Sequence, residues 1–167
     1  TLTPLGKRTL REWMYHPLKT KESIACRQEA VQLLKNNGSL QQELNLLLRN
    51  IPDIEKNLSR ISCGYGQAKD LLALRNTLLR IPQIQKTLLP LSAKNTLFNL
   101  EDPNEIRILL EKAINPDIPL SNPEGKTIRS GYHKELDELR EIQENGREWL
   151  KDLQAKGYEV EIRAMAT

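Results

Sequence analysis

Ser39-Leu-Gln-Gln-Glu-Leu-Asn-Leu-Leu-Leu-Arg-Asn-Ile51 places Leu40, Leu44, Leu47, Leu48 and Ile51 at i, i+4, i+7, i+8 and i+11. That spacing follows the helical period and stacks large aliphatic side chains on one face. The same period runs outward in both directions, and no stretch alternates strictly enough for a buried strand, so the fold class is all-α. Ser39 with Gln42 reads as a capping box opening this helix. Asn37-Gly38 reads as a left-handed stop for the helix before it.

Upstream, a second helix spans about residues 20–36 with Ile24, Val31 and Leu34 inward. In the first helix Leu10, Trp13 and Met14 share a face with Lys7, Arg8 and Arg11 largely opposite, and His16-Pro17 ends it, because proline disfavours helix at the preceding residue. Downstream of Pro52, Ile54, Leu58 and Ile61 mark a helix that breaks at Cys63-Gly-Tyr-Gly66, and Leu71, Leu74 and Leu78 mark the next. Pro82 and Pro90 divide the stretch after it into short helices. Asp102-Pro103 reads as an N-cap with proline at the first helical position, ahead of Ile106, Leu109, Leu110 and Ala113.

From Asn115 to about Ser130 the prolines 116, 119 and 123 and two polar turns predict an extended connector. Beyond it residues 133–156 read as one helix of about 36 Å with Leu136, Leu139, Leu150 and Leu153 as a narrow apolar seam. Charge covers the rest of that helix, which suits a strut or a single partner helix. The expected architecture is a multi-helix core bundle over residues 1–114, an extended connector over 115–131, one long helix over 132–156 and an unassigned end over 157–167.

A length of 167 residues fits about one domain. Apolar residues make up 38% and charged residues 28%, as in a soluble helical protein, while 4% aromatics argue against a base-stacking surface. The net charge of +3 comes from 25 basic and 22 acidic residues dispersed along the chain, so it forms no basic stripe for autonomous nucleic-acid binding. Cys26 and Cys63 lack metal-ligand spacing and read as buried reduced thiols. Neither a membrane-length apolar run nor a signal-peptide pattern is found, so no membrane partner and a cytoplasmic location are expected. The chain begins inside a helical motif without an initiator Met, which reads as a piece of a longer protein.

No motif carries catalysis. Gly6-Lys7-Arg8-Thr9 puts Arg8 where a phosphate-binding loop needs Ser or Thr, and Gly125-Lys126-Thr127 has Leu120 at the leading glycine position. His16 and His133 stand in no zinc-binding pattern. The carboxylates of the long helix lie on a wet face that would not raise their pKa. Catalytic, cofactor and metal sites are therefore expected to be absent. Lys7, Arg8 and Arg11 could meet DNA phosphate or an acidic surface elsewhere in the protein, the second being favoured. Trp13 and Trp149 read as core or interface anchors, and Gly146 as a place of close packing, a bend or an ordinary tolerated glycine.

Thr3, Gly6, Arg8, Leu10, Arg11, Trp13, Pro17 and Leu18, followed by Arg27, Ala30, Val31 and Leu34, resemble a T-x-x-G-x-R-x-L-R-x-W-x-x-x-P-L helix and the R-x-x-A-V-x-x-L helix after it in the MutS ATPases. Asp53 and Glu55 resemble that family's I-x-D-[LI]-E-[RK] stretch, and Lys69-Asp-Leu its P-R-D-L stretch. Ile128 through Gly131, Tyr132, Glu135, Leu136, Asp137, Leu139 and Arg140 resembles its I-[RK]-x-G-Y-x-x-E-L-D-E-L-R run. The resemblance covers about residues 1–156, and residues 157–167 match poorly.

The resemblance implies a non-catalytic core with the start of a lever leading to the DNA clamp. The parent would be a bacterial-type DNA mismatch-repair ATPase using ATP and Mg. Its expected partners are mismatched double-stranded DNA held through other domains, a MutL-type protein and a second copy of itself. The upstream Phe-x-Glu motif and the downstream P-loop of that family lie outside these residues. Competing readings are a helical protein-interaction module, a freestanding DNA-binding domain, and the second MutS lineage acting outside mismatch repair; the Gly131-Tyr132 and Glu135–Arg140 run argues against the last.

Overall fold

The computed structural model describes residues 1–118 and 126–155, with backbone alone over 151–155. Among them are eight α-helices: α1 Pro4–Tyr15, α2 Lys21–Lys35, α3 Gly38–Leu48, α4 Ile54–Ser62, α5 Ala68–Leu78, α6 Ile81–Ser92, α7 Asn104–Ala113 and α8 Lys134–Ala155. A short 3-10 turn, Thr96–Phe98, comes after α6. The described residues hold no strand, only an isolated antiparallel bridge between Ile114 and Ile128.

The apolar body is built by α2, α3, α6 and the 3-10 turn. The leucine stripe of α3 supplies buried Leu44 and Ile51 beyond its end, which close on Ile84 of α6 with Leu47, Leu48 and Ile54 around them. Beside them Ala30, Leu91 and Phe98 meet Leu33, Leu34, Leu40 and Leu88. Leu91 is the most deeply buried large side chain, 2% exposed. Asn95 ties this layer together: buried, it donates to the carbonyl of Cys26 (2.8 Å) and accepts from the Leu97 N–H (3.0 Å).

Several local expectations are corrected. α3 starts at Gly38, and neither Ser39 nor Gln42 caps it; the N-cap position is Asn37, whose amide instead donates to Leu33 O at 2.7 Å. Gly38 has no positive φ, so α2 and α3 join through a right-handed turn at Asn36. Pro82 and Pro90 both lie within the single helix α6. Pro82 occupies the first turn, where the N–H has no helical partner, and Pro90 falls in the last turn, where one bond is lost. α7 begins at Asn104 with Pro103 at its N-cap position. Asp102 does not cap; it takes the Arg107 guanidinium at 3.0 and 3.1 Å from Nε, which raises the arginine pKa.

Burial is corrected too. Ile24 and Val31 are 39% and 61% exposed, because this face of α2 looks toward α1 and away from the body. Cys63 is exposed and Cys26 half-buried, both as free thiols. A Cβ on Gly146 would meet nothing within 4 Å among the described residues, so no close packing explains that glycine.

The α4–α5 hairpin turns at Gly64, φ +77°, and Gly66, where an added Cβ would lie 2.8 Å from the Ile61 side chain. Arg60 of α4 reaches buried Asp70 of α5 at 3.2 Å, and the same carboxylate accepts from the Gln67 N–H at the start of α5. α5 packs on α7. The connector is paired at its two ends: Arg129 N–H donates to Ala113 O (2.8 Å) and Asn115 N–H to Thr127 O (3.0 Å). Ile114 and Ile118 are buried there.

Candidate functional site

Two polar joints collect Arg8, Asp53, Glu55, Gly131, Asp137 and Arg140 from the residues that the motifs mark. The first ties α1 to α4. Thr3 caps α1, its hydroxyl accepting from the Gly6 N–H at 3.0 Å, and Pro4 occupies the position where a missing N–H costs nothing. Arg8, one turn further on, sends its two terminal nitrogens to the two oxygens of Asp53 at 2.6 and 2.7 Å and also pairs with Glu55. Asp53 meanwhile caps α4 by accepting from the Lys56 N–H at 3.1 Å. One carboxylate thus starts a helix and anchors another 45 residues away in sequence.

The hydrogen bond from Arg8, followed by that from Lys56 N–H, lowers the Asp53 pKa from 3.8 to about 2, and the hydrogen bond to Asp53 raises that of Arg8. All three charged groups keep access to water, so the clasp is a geometric constraint open to screening by salt. At the other end of α1, the Arg27 guanidinium of α2 stacks on Trp13, 3.5 Å from the ring centroid. Between α1 and α2 lies an open apolar groove of about 580 Å³ lined by Leu10, Trp13, Pro17, Leu18, Ile24 and Val31, with Arg27 and Gln28. Arg11 is exposed and takes no part in the clasp.

The second joint is the foot of α8. Gly131 adopts φ +84°, a left-handed conformation that side-chain-bearing residues disfavour, and its N–H donates to Asp137 at 2.7 Å. The other Asp137 oxygen lies 3.3 Å from Arg140, whose remaining terminal nitrogen donates to Ile128 O at 2.9 Å. His133 Nδ1 accepts from the Leu136 N–H at 3.4 Å, as an N-cap of α8 does. Leu136 is half-buried, whereas Tyr132, Glu135 and Leu139 are exposed. Ile142 and Trp149, 69% and 64% exposed, prolong the apolar side of α8 into solvent.

The two signature strings are not brought to one place; each forms its own joint. Motif spacing brought out Arg8, Asp53, Asp137 and Arg140 as positions but not as pairs. The Arg27–Trp13 stack and the Arg60–Asp70 pair were missed as pairings, and only a buried aspartate at the start of a helix could have signalled the second. Among the described residues no three His, Cys, Asp or Glu side chains converge as a metal site, and no helix is long and apolar enough to cross a membrane.

Residues 1–166 match the family described as MutS domain III. The DNA mismatch repair protein MutS of Methanothrix thermoacetophila is 35% identical over 160 residues, covering 93% of this chain and 19% of the relative. Those of Geobacillus kaustophilus and Alkaliphilus metalliredigens are 38% and 40% identical over 159 residues, each again covering 93% of this chain and 18% of the relative. The chain therefore spans less than a fifth of the curated relatives it matches. With a family match along almost its entire length, the chain belongs to the MutS domain III family.

Proposed function

We propose that this chain works as the mechanical link of a DNA mismatch-repair MutS ATPase, passing changes of pose in the ATPase to the lever that carries the DNA clamp. The chain performs no catalysis in this reading. ATP with Mg is held by the parent's nucleotide-binding domain, mismatched duplex DNA by its other domains, and a MutL-type protein and a second copy are its partners, in the cytoplasm.

The single observation that carries the reading is a continuous set of contacts from α1 to α8, polar at every step but the packing of α5 on α7. Arg8 holds α4 through Asp53, Arg60 holds α5 through Asp70, α5 packs on α7, α7 pairs through Ala113 with Arg129, and Ile128 O holds Arg140. Such contiguity supports coupling between the two ends. Breaking α8 with Leu139→Pro in the complete protein tests the idea, because proline in a helix interior removes a hydrogen bond and clashes with the preceding turn. The expected result is loss of ATP-driven release from DNA with ATP affinity retained. Release at the wild-type rate overturns the reading.

The exposed apolar groove between α1 and α2 favours one second reading, a helical protein-interaction module. A parent gene without an ATPase segment would select it.

A further inference from the structure

Asn37-Gly38 does not serve as the left-handed stop that its residue types suggest, because Gly38 has no positive φ. Asn37 stands between two helices and belongs to neither. α2 ends before it at Lys35, α3 begins after it, and its own φ −119° and ψ +71° are not helical. Gly38 is the first residue of α3, where an N–H finds no acceptor within the helix. The Asn37 side chain does not cap α3; its hold is the bond from Nδ2 to Leu33 O at 2.7 Å. A second pair of the same kind, Asn145-Gly146, lies in the interior of α8. In a helix interior each N–H bonds to the fourth carbonyl before it. The same dipeptide thus stands once at a helix joint and once inside a helix.

We propose that Asn37 is a site of spontaneous covalent modification, at which the Gly38 amide closes on the asparagine side chain and converts it to aspartate and isoaspartate. The Gly38 nitrogen gives its proton to water and attacks Asn37 Cγ. The Cγ–Nδ2 bond breaks and Nδ2 leaves as ammonia, which gives a five-membered succinimide. Water then opens the ring. Cleavage between the nitrogen and Cγ yields aspartate, and cleavage between the nitrogen and the main-chain carbonyl carbon yields isoaspartate. The net change is one water consumed and one ammonia released. Glycine suits the step because it puts no Cβ beside the attacking nitrogen and lets the backbone swing. Closure needs rotation about the Asn37 Cα–C bond away from the observed ψ, at the expense of the bond to Leu33 O. In α8 the same rotation would first have to break the helix around it. The reacting atoms belong to adjacent residues, so the site is complete in these two.

Both products end the hold on Leu33, since a carboxylate has no N–H to donate. Isoaspartate also inserts a methylene into the main chain and removes from it the carbonyl that receives the Gln41 N–H at 2.9 Å, the bond that opens α3. The modification therefore loosens the joint between α2 and α3, whose Leu34, Leu40 and Leu44 meet in the body. The proposal does not rest on the chain's role in repair.

Tryptic peptide mapping of the complete protein after ageing in warm, mildly alkaline buffer tests it. Peptides 36–49 and 141–147 carry the two pairs. Electron-transfer fragmentation locates the residue whose amide nitrogen has been exchanged for oxygen and distinguishes isoaspartate by its extra main-chain carbon. Heavy-oxygen water during ageing alone separates these products from any formed in the digestion. The expected result is aspartate and isoaspartate accumulating at Asn37 about tenfold faster than at Asn145, where the helix must open first. Gly38→Ala is tolerated by the fold, because a Cβ there meets nothing within 4 Å and φ is not positive. It should slow the change at Asn37 by about tenfold, or about 1.4 kcal/mol of barrier, and leave Asn145 unchanged. Asn37 left unmodified under conditions that modify the free 36–49 peptide, equal rates at Asn37 and Asn145, or a wild-type rate in Gly38→Ala would each overturn the proposal.

Discussion

Removing the Asp137 carboxylate tests how the long helix is aimed. Asp137→Ala deletes the acceptor of the Gly131 N–H, 2.7 Å away, and the anion beside Arg140, leaving the arginine on Ile128 O alone. Asp137 is 30% exposed, so water replaces part of the lost interaction and the cost is about 1 kcal/mol, roughly a fivefold fall in the ratio of docked to undocked feet. A helix freed at its foot by about 15°, the usual scatter of packed helices, moves residue 148, which lies about 16 Å along the axis from residue 137, by about 4 Å.

Pulsed electron-spin distance measurement between labels on exposed Cys63 and on Glu148→Cys, with Cys26→Ser, resolves a change of that size. The expected outcome is a distribution broadened by about 4 Å in Asp137→Ala, with Arg147→Ala unchanged as the control. An Asp137→Ala distribution with the wild-type centre and width would refute the assignment of this carboxylate as the constraint that aims α8.

Burial and charge set two further outcomes. Leu91→Ala, at the most enclosed position of the body, should cost about 3–5 kcal/mol in urea unfolding with an unchanged slope, while Leu46→Ala, 67% exposed, stays within about 0.5 kcal/mol; similar costs for both would remove Leu91 from the core. Asp53 is lowered in the folded chain from 3.8 to about 2, so its contribution is complete above pH 3.8 and disappears as pH falls through about 2. A carboxyl-carbon NMR titration should show that low midpoint in wild type and a higher one in Arg8→Ala, still held below the ordinary value by the Lys56 N–H; an ordinary midpoint in wild type would mean the fork does not form in solution.

The sequence was most legible where one physical rule acts alone. The α3 stripe is read correctly because five aliphatic side chains at helical spacing have no other favourable place to go, and Leu44 and Ile51 are indeed buried. Ile24 and Val31 obey the same period yet stay exposed, since periodicity identifies a face without saying what faces it. Helix starts misled for a related reason. Ser39 and Asp102 are good capping residues by type, but Gly38 extends α3 past Ser39 and Arg107 claims Asp102. Motif spacing brought out Arg8, Asp53, Asp137 and Arg140 individually. Pairing Arg8 with Asp53 across 45 residues required the folded chain, because several arginines and aspartates of this sequence had the same local character.

The layout of contacts argues for a division of labour within the molecule. The apolar side chains that define the body are contributed by α2, α3, α6 and the turn after it, where packing is non-directional and tolerant of small displacements only as a block. α1 and α8, at the two ends of the chain, are instead held by ion pairs and hydrogen bonds to carbonyls, which fix direction and break individually. The ionic and hydrogen-bonded joints are not made on that body itself: the Arg8 fork closes on Asp53 and Glu55 at the start of α4, and α8 is held by Gly131 and Ile128 of the connector. Asp137→Ala should therefore loosen α8 without disturbing the Arg8–Asp53 fork, and Arg8→Ala should loosen α1 without moving α8. If either single change disturbed both ends, the joints would belong to one cooperative unit and the division drawn here would fail.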